Sequence, residues 1–188
     1  MLSYQHSFHA GNHADVLKHL TLVAVLERLN IKSKPYFFLD THAGDGVYEL
    51  SSKQALQNEE AKTGVLKFDL GTQADEENDK TTEDLPAFVD SYLNIINKYI
   101  VDGQYPGSPV VASALLRKGD NAFAAELHPQ AFESLKNNCR RTAIKAQHRD
   151  GYEMMNAVLP PTPNRGAVLI DPPYEQPSEY EQAVDAVF

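Results

Sequence analysis

A parallel α/β sheet with right-handed crossovers is the architecture this sequence predicts, on three observations. Short apolar runs recur at 36–39, 122–127, 143–147 and 168–170, each too brief for a helix. Segments with helical spacing of apolar residues separate them, so strands and helices alternate along the chain. The runs lead into Asp40, Glu126, Asp150 and Asp171 respectively. Ligands of open parallel sheets bind outside the carboxyl ends of the strands, so these four acids fall where a crevice is expected.

The 188 residues, 42% of them hydrophobic, are enough to bury a core as one domain carrying an inserted lobe. Cys139 is the single cysteine, which excludes an internal disulfide. With no signal-peptide pattern and no apolar run of membrane-spanning length, the reading is a soluble cytoplasmic protein without a membrane partner. The net charge of −9 argues superficially against a nucleic-acid partner, but residues 51–104 hold five basic and eleven acidic residues and so carry −6 of it. The remainder is nearly balanced. Its cluster of Lys136, Arg140, Arg141, Lys145 and Arg149 reads equally as a phosphate-facing patch or a solvated helix face.

The first thirteen residues are too aromatic and histidine-rich for a floppy tail: His6, His9, His13 and, just beyond, His19 are four of the seven histidines. The His9–His13 spacing suits a metal only on a continuous helix, and Gly11-Asn12 interrupts it with no Cys or Glu in register, so no metal site is assigned. Asn12 or His13 opens a helix over 14–30, with Val16, Leu17, Leu20, Val23 and Ala24 inward and Leu26 or Leu29 joining them. Lys18 and His19 lie in its second turn, where site residues and ordinary surface side chains are equal readings.

The strand at 36–39 runs into Asp40-Thr41-His42-Ala43-Gly44-Asp45-Gly46. An acid followed by Gly-x-Gly lets backbone approach a ligand closely, but the third glycine of a dinucleotide fingerprint and the Gly-Lys-Ser/Thr of a phosphate loop are both missing. A cofactor without phosphates, such as S-adenosylmethionine, suits this shortened loop better; plain tight-turn glycines are the competing reading. Residues 51–104 read as a largely helical insertion, with a polar, acidic loop at 71–84 and a helix from Leu85 placing Phe88, Tyr92, Ile95, Ile96 and Tyr99 on one face. Tyr105-Pro106-Gly107-Ser108-Pro109 returns the chain to the main domain, and 110–117 reads as a crossover helix with Ser108 near its amino end, where a hydroxyl can meet a carboxylate. Glu126, ending the second strand, is well placed to accept hydrogen bonds from ribose hydroxyls. His128-Pro129 opens another helix through Cys139. Asp150-Gly151 is either the holder of a cofactor's adenine edge or a plain turn.

The strand at 168–170 reads as buried on both faces, and it delivers Asp171-Pro172-Pro173-Tyr174 at its carboxyl end. Such a tetrapeptide suits the exocyclic amine of a nucleobase, whose lone pair is delocalised into the ring. Asp171 supplies a carboxylate acceptor, and Pro172 has no N–H and fixes φ so that a carbonyl stands beside it. Tyr174 offers a face on which an extruded base stacks.

The amino-terminal block from Met1 to His19, followed by Leu-Asp-Thr-His-Ala-Gly, Tyr-Pro-Gly-Ser-Pro, Glu-Leu-His-Pro, Asp-Gly and Asp-Pro-Pro-Tyr-Glu, resembles the RlmJ family of S-adenosylmethionine-dependent 23S ribosomal RNA adenine-N6 methyltransferases. The resemblance extends to about Glu175. It implies a Rossmann-like class I methyltransferase sheet over 1–50 and 105–188, with 51–104 as a small, mainly helical inserted subdomain. It implies that His19, His42, Ser108, Glu126, Asp150, Gly151 and Asp171 contact cofactor, that Asp171 accepts the proton, and that Tyr4, His6 and Lys18 face the substrate adenosine, which in the family is adenine 2030. The implied partner is protein-free or early-assembly 23S RNA, bound by a monomer. The family's chain continues beyond this block to complete a seven-stranded sheet, so the sequence is expected to be truncated after the fourth strand, leaving 168–170 as an edge and a fragment that binds poorly. DNA adenine methyltransferases share Asp-Pro-Pro-Tyr and are the alternative of the same class; a non-catalytic nucleic-acid or DNA-utilisation protein is the alternative of another. A metal hydrolase, the third, requires bound zinc.

Overall fold

The computed structural model of the chain describes residues 9–52, 60–67 and 85–188. Four strands, β1 (Phe37–Asp40), β4 (Asn121–Glu126), β5 (Ile144–His148) and β6 (Gly166–Leu169), form a wholly parallel sheet in the order β5-β4-β1-β6. The order reverses at β1: the chain steps outward to β4 and β5, then returns to pair β6 with the other side of β1, Asp40 standing opposite Leu169. The carboxyl ends of β1 and β6 therefore flank the switch point, where this architecture opens a crevice. The alternation read from the sequence is thus the alternation of the fold.

Period-2 alternation in β1 supplies both faces of the sheet with core. Tyr36 and Phe38 face the larger apolar cluster, with Val23 and Leu26 of α1 (His13–Asn30), while Phe37 and Leu39 face a smaller one with Met154 and Met155 of α6 (Gly151–Val158). The larger cluster also takes Val110, Val111 and Ala112 from α4 (Ser108–Ser113) and Leu135 from α5 (Pro129–Asn138). From the stretch between β1 and β4 it takes Tyr92, Ile95 and Ile96 of α3 (Ala87–Ile100), the face predicted for that helix, and Ala61 of α2 (Glu60–Thr63). Between β1 and β4 in the chain, β2 (Val47–Glu49) and β3 (Gln104–Pro106) pair antiparallel. A last helix, α7 (Pro177–Asp185), follows β6 and exposes Tyr180 and Val184.

Several local readings are corrected. The α1 face that turns inward is Asp15, Val16, His19, Leu22, Val23 and Leu26, whereas Leu17 is 68% exposed. The polar residues on that face line a cleft, so hydrophobic periodicity alone misplaces the stripe. The third strand begins one residue later than 143, at Ile144, and the crossover helix starts at Ser108 and ends at Ser113 rather than covering 110–117. The final strand, read as buried on both faces, is only partly buried: it pairs with β1 alone, and Gly166 at its start is exposed. Helix α6 and the β2–β3 pair have no counterpart among the sequence-read elements. The pair is three residues long on each strand, shorter than a periodicity can register.

Candidate active site

The Gly-rich loop after β1 is drawn over the end of β4 by its own backbone. Ala43 N–H donates to the Ala125 carbonyl at 3.0 Å, and Gly44 N–H donates to Glu126 Oε2 at 2.8 Å. Glu126 Oε1 accepts from His128 N–H at 2.7 Å. A carboxylate has about four lone-pair sites, so two backbone bonds orient Glu126 and leave acceptor capacity toward the cleft it lines. Gly44 adopts φ +60°, and a Cβ there would fall 2.1 Å from Tyr48 Oη, which is why this loop needs glycine.

Asp150 is neither a plain turn nor a free acid: it is the N-cap of α6, its Oδ1 accepting from Tyr152 N–H at 2.9 Å and Glu153 N–H at 3.0 Å. Gly151, the first helical residue, passes so close to β1's loop that a Cβ would lie 2.1 Å from the Thr41 carbonyl oxygen. Thr41 in turn bonds the end of β6, its N–H donating to the Leu169 carbonyl at 3.0 Å. The ends of β1 and β6 and the start of α6 are thereby held as one rim.

Asp171 stands just beyond β6 and meets α1 across the switch point. Lys18 Nζ lies 2.8 Å from Asp171 Oδ2 and also 2.8 Å from Asp15 Oδ1. Burial by itself disfavours the Lys18 ammonium, but the charges of Asp15 and Asp171 and their hydrogen bonds outweigh it and push its pKa up, so Lys18 is a fixed cation. Asp40, the last residue of β1, is fully buried. Desolvation raises its pKa to about 6, against the Ser108 hydrogen bond, the Lys18 charge and the His42 N–H, all of which hold it down.

Two histidines finish the walls. His19, buried on α1, stacks on Tyr105 with ring centroids 5.4 Å apart, and its Nδ1 lies 2.8 Å from Tyr105 Oη; Tyr105 Oη is 3.3 Å from Tyr92 Oη on α3. His42 meets the edge of Tyr152 at 5.2 Å, and desolvation lowers its pKa, which keeps the ring neutral near pH 7. Tyr174 has φ +54°, a left-handed conformation uncommon for an aromatic residue, and its ring lies 4.4 Å from that of Tyr180 on α7.

One cleft of about 940 Å³ gathers these groups. His19, His42, Ser108, Glu126, Asp150, Gly151 and Asp171, spread over 153 positions of sequence, all line it, as do Lys18, Pro172 and Tyr174. Tyr4 and His6 lie outside the described residues. His9 is not part of a histidine pair on one helix: α1 begins at His13, and His9 Nδ1 lies 3.0 Å from Glu60 Oε1. The sequence reading missed Asp15 and Tyr152 as lining residues. Asp15 carried a readable signal in its i,i+3 spacing to Lys18; Tyr152 carried none, because the helix it belongs to was not read.

The arrangement offers a carboxylate beside a lysine at one end and a carboxylate held by a Gly-rich loop at the other. A sequence profile of the family described as Ribosomal RNA large subunit methyltransferase D, RlmJ, matches residues 33–188. The chain is 44% identical over 194 aligned positions to the ribosomal RNA large subunit methyltransferase J of Haemophilus influenzae and 41% identical over 191 to that of Escherichia coli. Both alignments cover all of this chain and 64% of the relative, so the chain spans somewhat under two thirds of the length of these proteins. A crystal structure of a Legionella pneumophila protein superposes with a TM-score of 0.76 at 36% identity, covering 95% of this chain and 63% of that one.

Proposed function

Since the chain belongs to the RlmJ family of large-subunit ribosomal RNA methyltransferases, we propose that its cleft transfers a methyl group from S-adenosylmethionine to the N6 amine of an adenine in 23S ribosomal RNA. The observation that carries this reading is the convergence of Asp171, Lys18 and Glu126 on one cleft at the switch point of a parallel sheet. Residues 1–50 and 105–188 form the methyltransferase domain in this reading and 51–104 the inserted subdomain, the protein acting as a cytoplasmic monomer on RNA not yet assembled into particles. Among the described residues no helix is long and apolar enough to cross a membrane.

The residues present fit the cofactor. Gly44 and Gly151 line the cleft, and Glu126 has acceptor capacity for ribose hydroxyls. Asp150 and Gly151 would hold the cofactor's adenine edge, with His19, His42 and Ser108 as walls of the site. S-adenosylmethionine supplies an electrophilic methyl group when bound. The protein's part is positioning: Tyr174 stacks the acceptor base, the carbonyl beside Pro172 and the Asp171 carboxylate take the amine's two hydrogens, and Asp171 accepts the proton released as nitrogen gains the methyl. In the same reading Tyr4, His6 and Lys18 face the acceptor nucleoside.

The test is methyl transfer from labelled S-adenosylmethionine to protein-free 23S RNA, with Asp171→Ala in parallel. Label on an adenine amine that falls by a factor of about 10³ in the variant supports the reading. A folded protein that binds the cofactor but labels only DNA or assembled ribosomal particles replaces the substrate, and one that binds no cofactor removes the enzyme.

A further inference from the structure

The three charges at the acceptor end are unequal in their setting. Asp15 is 2% exposed, its Oδ2 accepts the Gly11 N–H at 2.9 Å and its own N–H donates to Asn12 Oδ1, so it is fixed to the backbone at the start of α1. Asp171 is 36% exposed and sits on the loop after β6. Lys18 divides itself between them at equal distance, and the Asp171 carboxylate it holds is the one that, in the reading above, accepts from the incoming amine. An ammonium with only one carboxylate would have to be stripped from it, at the cost of breaking a charged hydrogen bond in a partly dry site.

We propose that Asp15 is a positioning residue that gives the Lys18 ammonium a second, permanent carboxylate, so that Lys18 releases Asp171 to the acceptor amine without losing its partner. This rests on the methyl-transfer reading above. Lys18 stays charged throughout and no proton passes through it. Its role is to hold the Asp171 carboxylate in place until the amine arrives, and Asp15 decides how readily it lets go. In Asp15→Asn the neutral amide no longer competes, and the ammonium stays on Asp171.

The experiment is a double-mutant cycle on the protein with 23S RNA as acceptor. Asp15→Asn should raise the KM for RNA about tenfold, with cofactor affinity by calorimetry unchanged within about twofold. In a Lys18→Met background the same substitution should add almost nothing, because the group it acts through is gone. Equal losses in the two backgrounds, or a loss confined to cofactor affinity, would overturn the proposal. A readout free of turnover separates its failure from that of the enzyme reading and needs no Asp15 variant to fold: the ¹⁵N signal of the Lys18 ammonium. In Asp171→Ala, and in unsubstituted protein holding S-adenosylhomocysteine and adenosine, the ammonium should remain protected from solvent exchange by Asp15; loss of protection in either sinks the idea. Unsubstituted protein that transfers no methyl fails the enzyme reading alone.

Discussion

The two ends of the parallel sheet are built from similar charged groups and put them to opposite uses. At the amino ends of the strands, Asp120 accepts the N–H groups of Tyr36 and Arg117 at 2.9 and 2.8 Å, and Arg117 donates to the carbonyls of Asn30, Lys32 and Lys34. Arg165 donates to those of Leu29 and Lys34, and both guanidinium groups lie over the Tyr36 ring. This end closes on itself. The Asp120 carboxyl would be raised by burial, but the two N–H groups and the Arg117 guanidinium hold it below the usual carboxylate range. At the carboxyl ends, Glu126 and Asp171 are held by bonds that leave acceptor capacity facing a cleft, and Asp40 is buried at a cost. A charged group that is saturated by backbone stabilises the fold, and one left partly unsatisfied beside a cavity is available to a ligand.

Substitutions at the two ends should therefore separate stability from activity. The largest stability effect is expected at the closed end: Asp120→Ala orphans two backbone N–H groups and an arginine, and should lower unfolding free energy by about 3 kcal/mol with activity per folded molecule intact. Denaturant melts paired with active-site titration check it. Because the folded pKa of Asp120 is depressed, its contribution is present above about pH 4 and lost as pH falls through the folded value, so the variant and parent should converge in acid.

At the open end, Gly151→Ala forces a Cβ against the Thr41 carbonyl. It should cost about 2 kcal/mol and, unlike Asp120→Ala, should weaken S-adenosylmethionine binding as well, measured by calorimetry. Equal binding in variant and parent would show that the β1–α6 rim does not touch the cofactor. The smallest effect is expected at Asp40. Its raised pKa means the folded state prefers the protonated form, so stability from this group is full below about pH 4 and is lost as pH rises through about 6. Asp40→Asn should therefore stabilise the ligand-free protein at pH 8 and little at pH 4, seen as a gain in Tm that grows with pH.

The acids that end the strands were legible because a short apolar run, an acid and a glycine or proline form a local pattern, and the parallel sheet brings such patterns together wherever they occur. Asp40, Glu126 and Asp171 needed only that rule. Asp15 and Tyr105 were not legible in the same way. Asp15 faces inward on a helix whose apolar stripe reads shifted, and Tyr105 meets His19 across 86 positions of chain. The three-residue strands of the β2–β3 pair and the eight-residue α6 fall below the length at which periodicity separates helix from strand. What a sequence hides in a pair such as His19 and Tyr105 is long-range polar contact, for which no spacing rule exists.

The hydrogen-bonded line from His19 through Tyr105 to Tyr92 has a consequence for anyone who would simplify this protein. Tyr92 belongs to α3, between β2 and β3, and His19 to the wall of the cleft. A segment that merely decorated a sheet could be cut out and its ends rejoined. Removing this one would strip Tyr105 of a neighbour and leave a buried hydroxyl and a buried imidazole beside a hole that Tyr92, Ile95 and Ile96 had filled. A minimal version of this protein has to carry α3 along, or replace those polar groups with a new apolar floor.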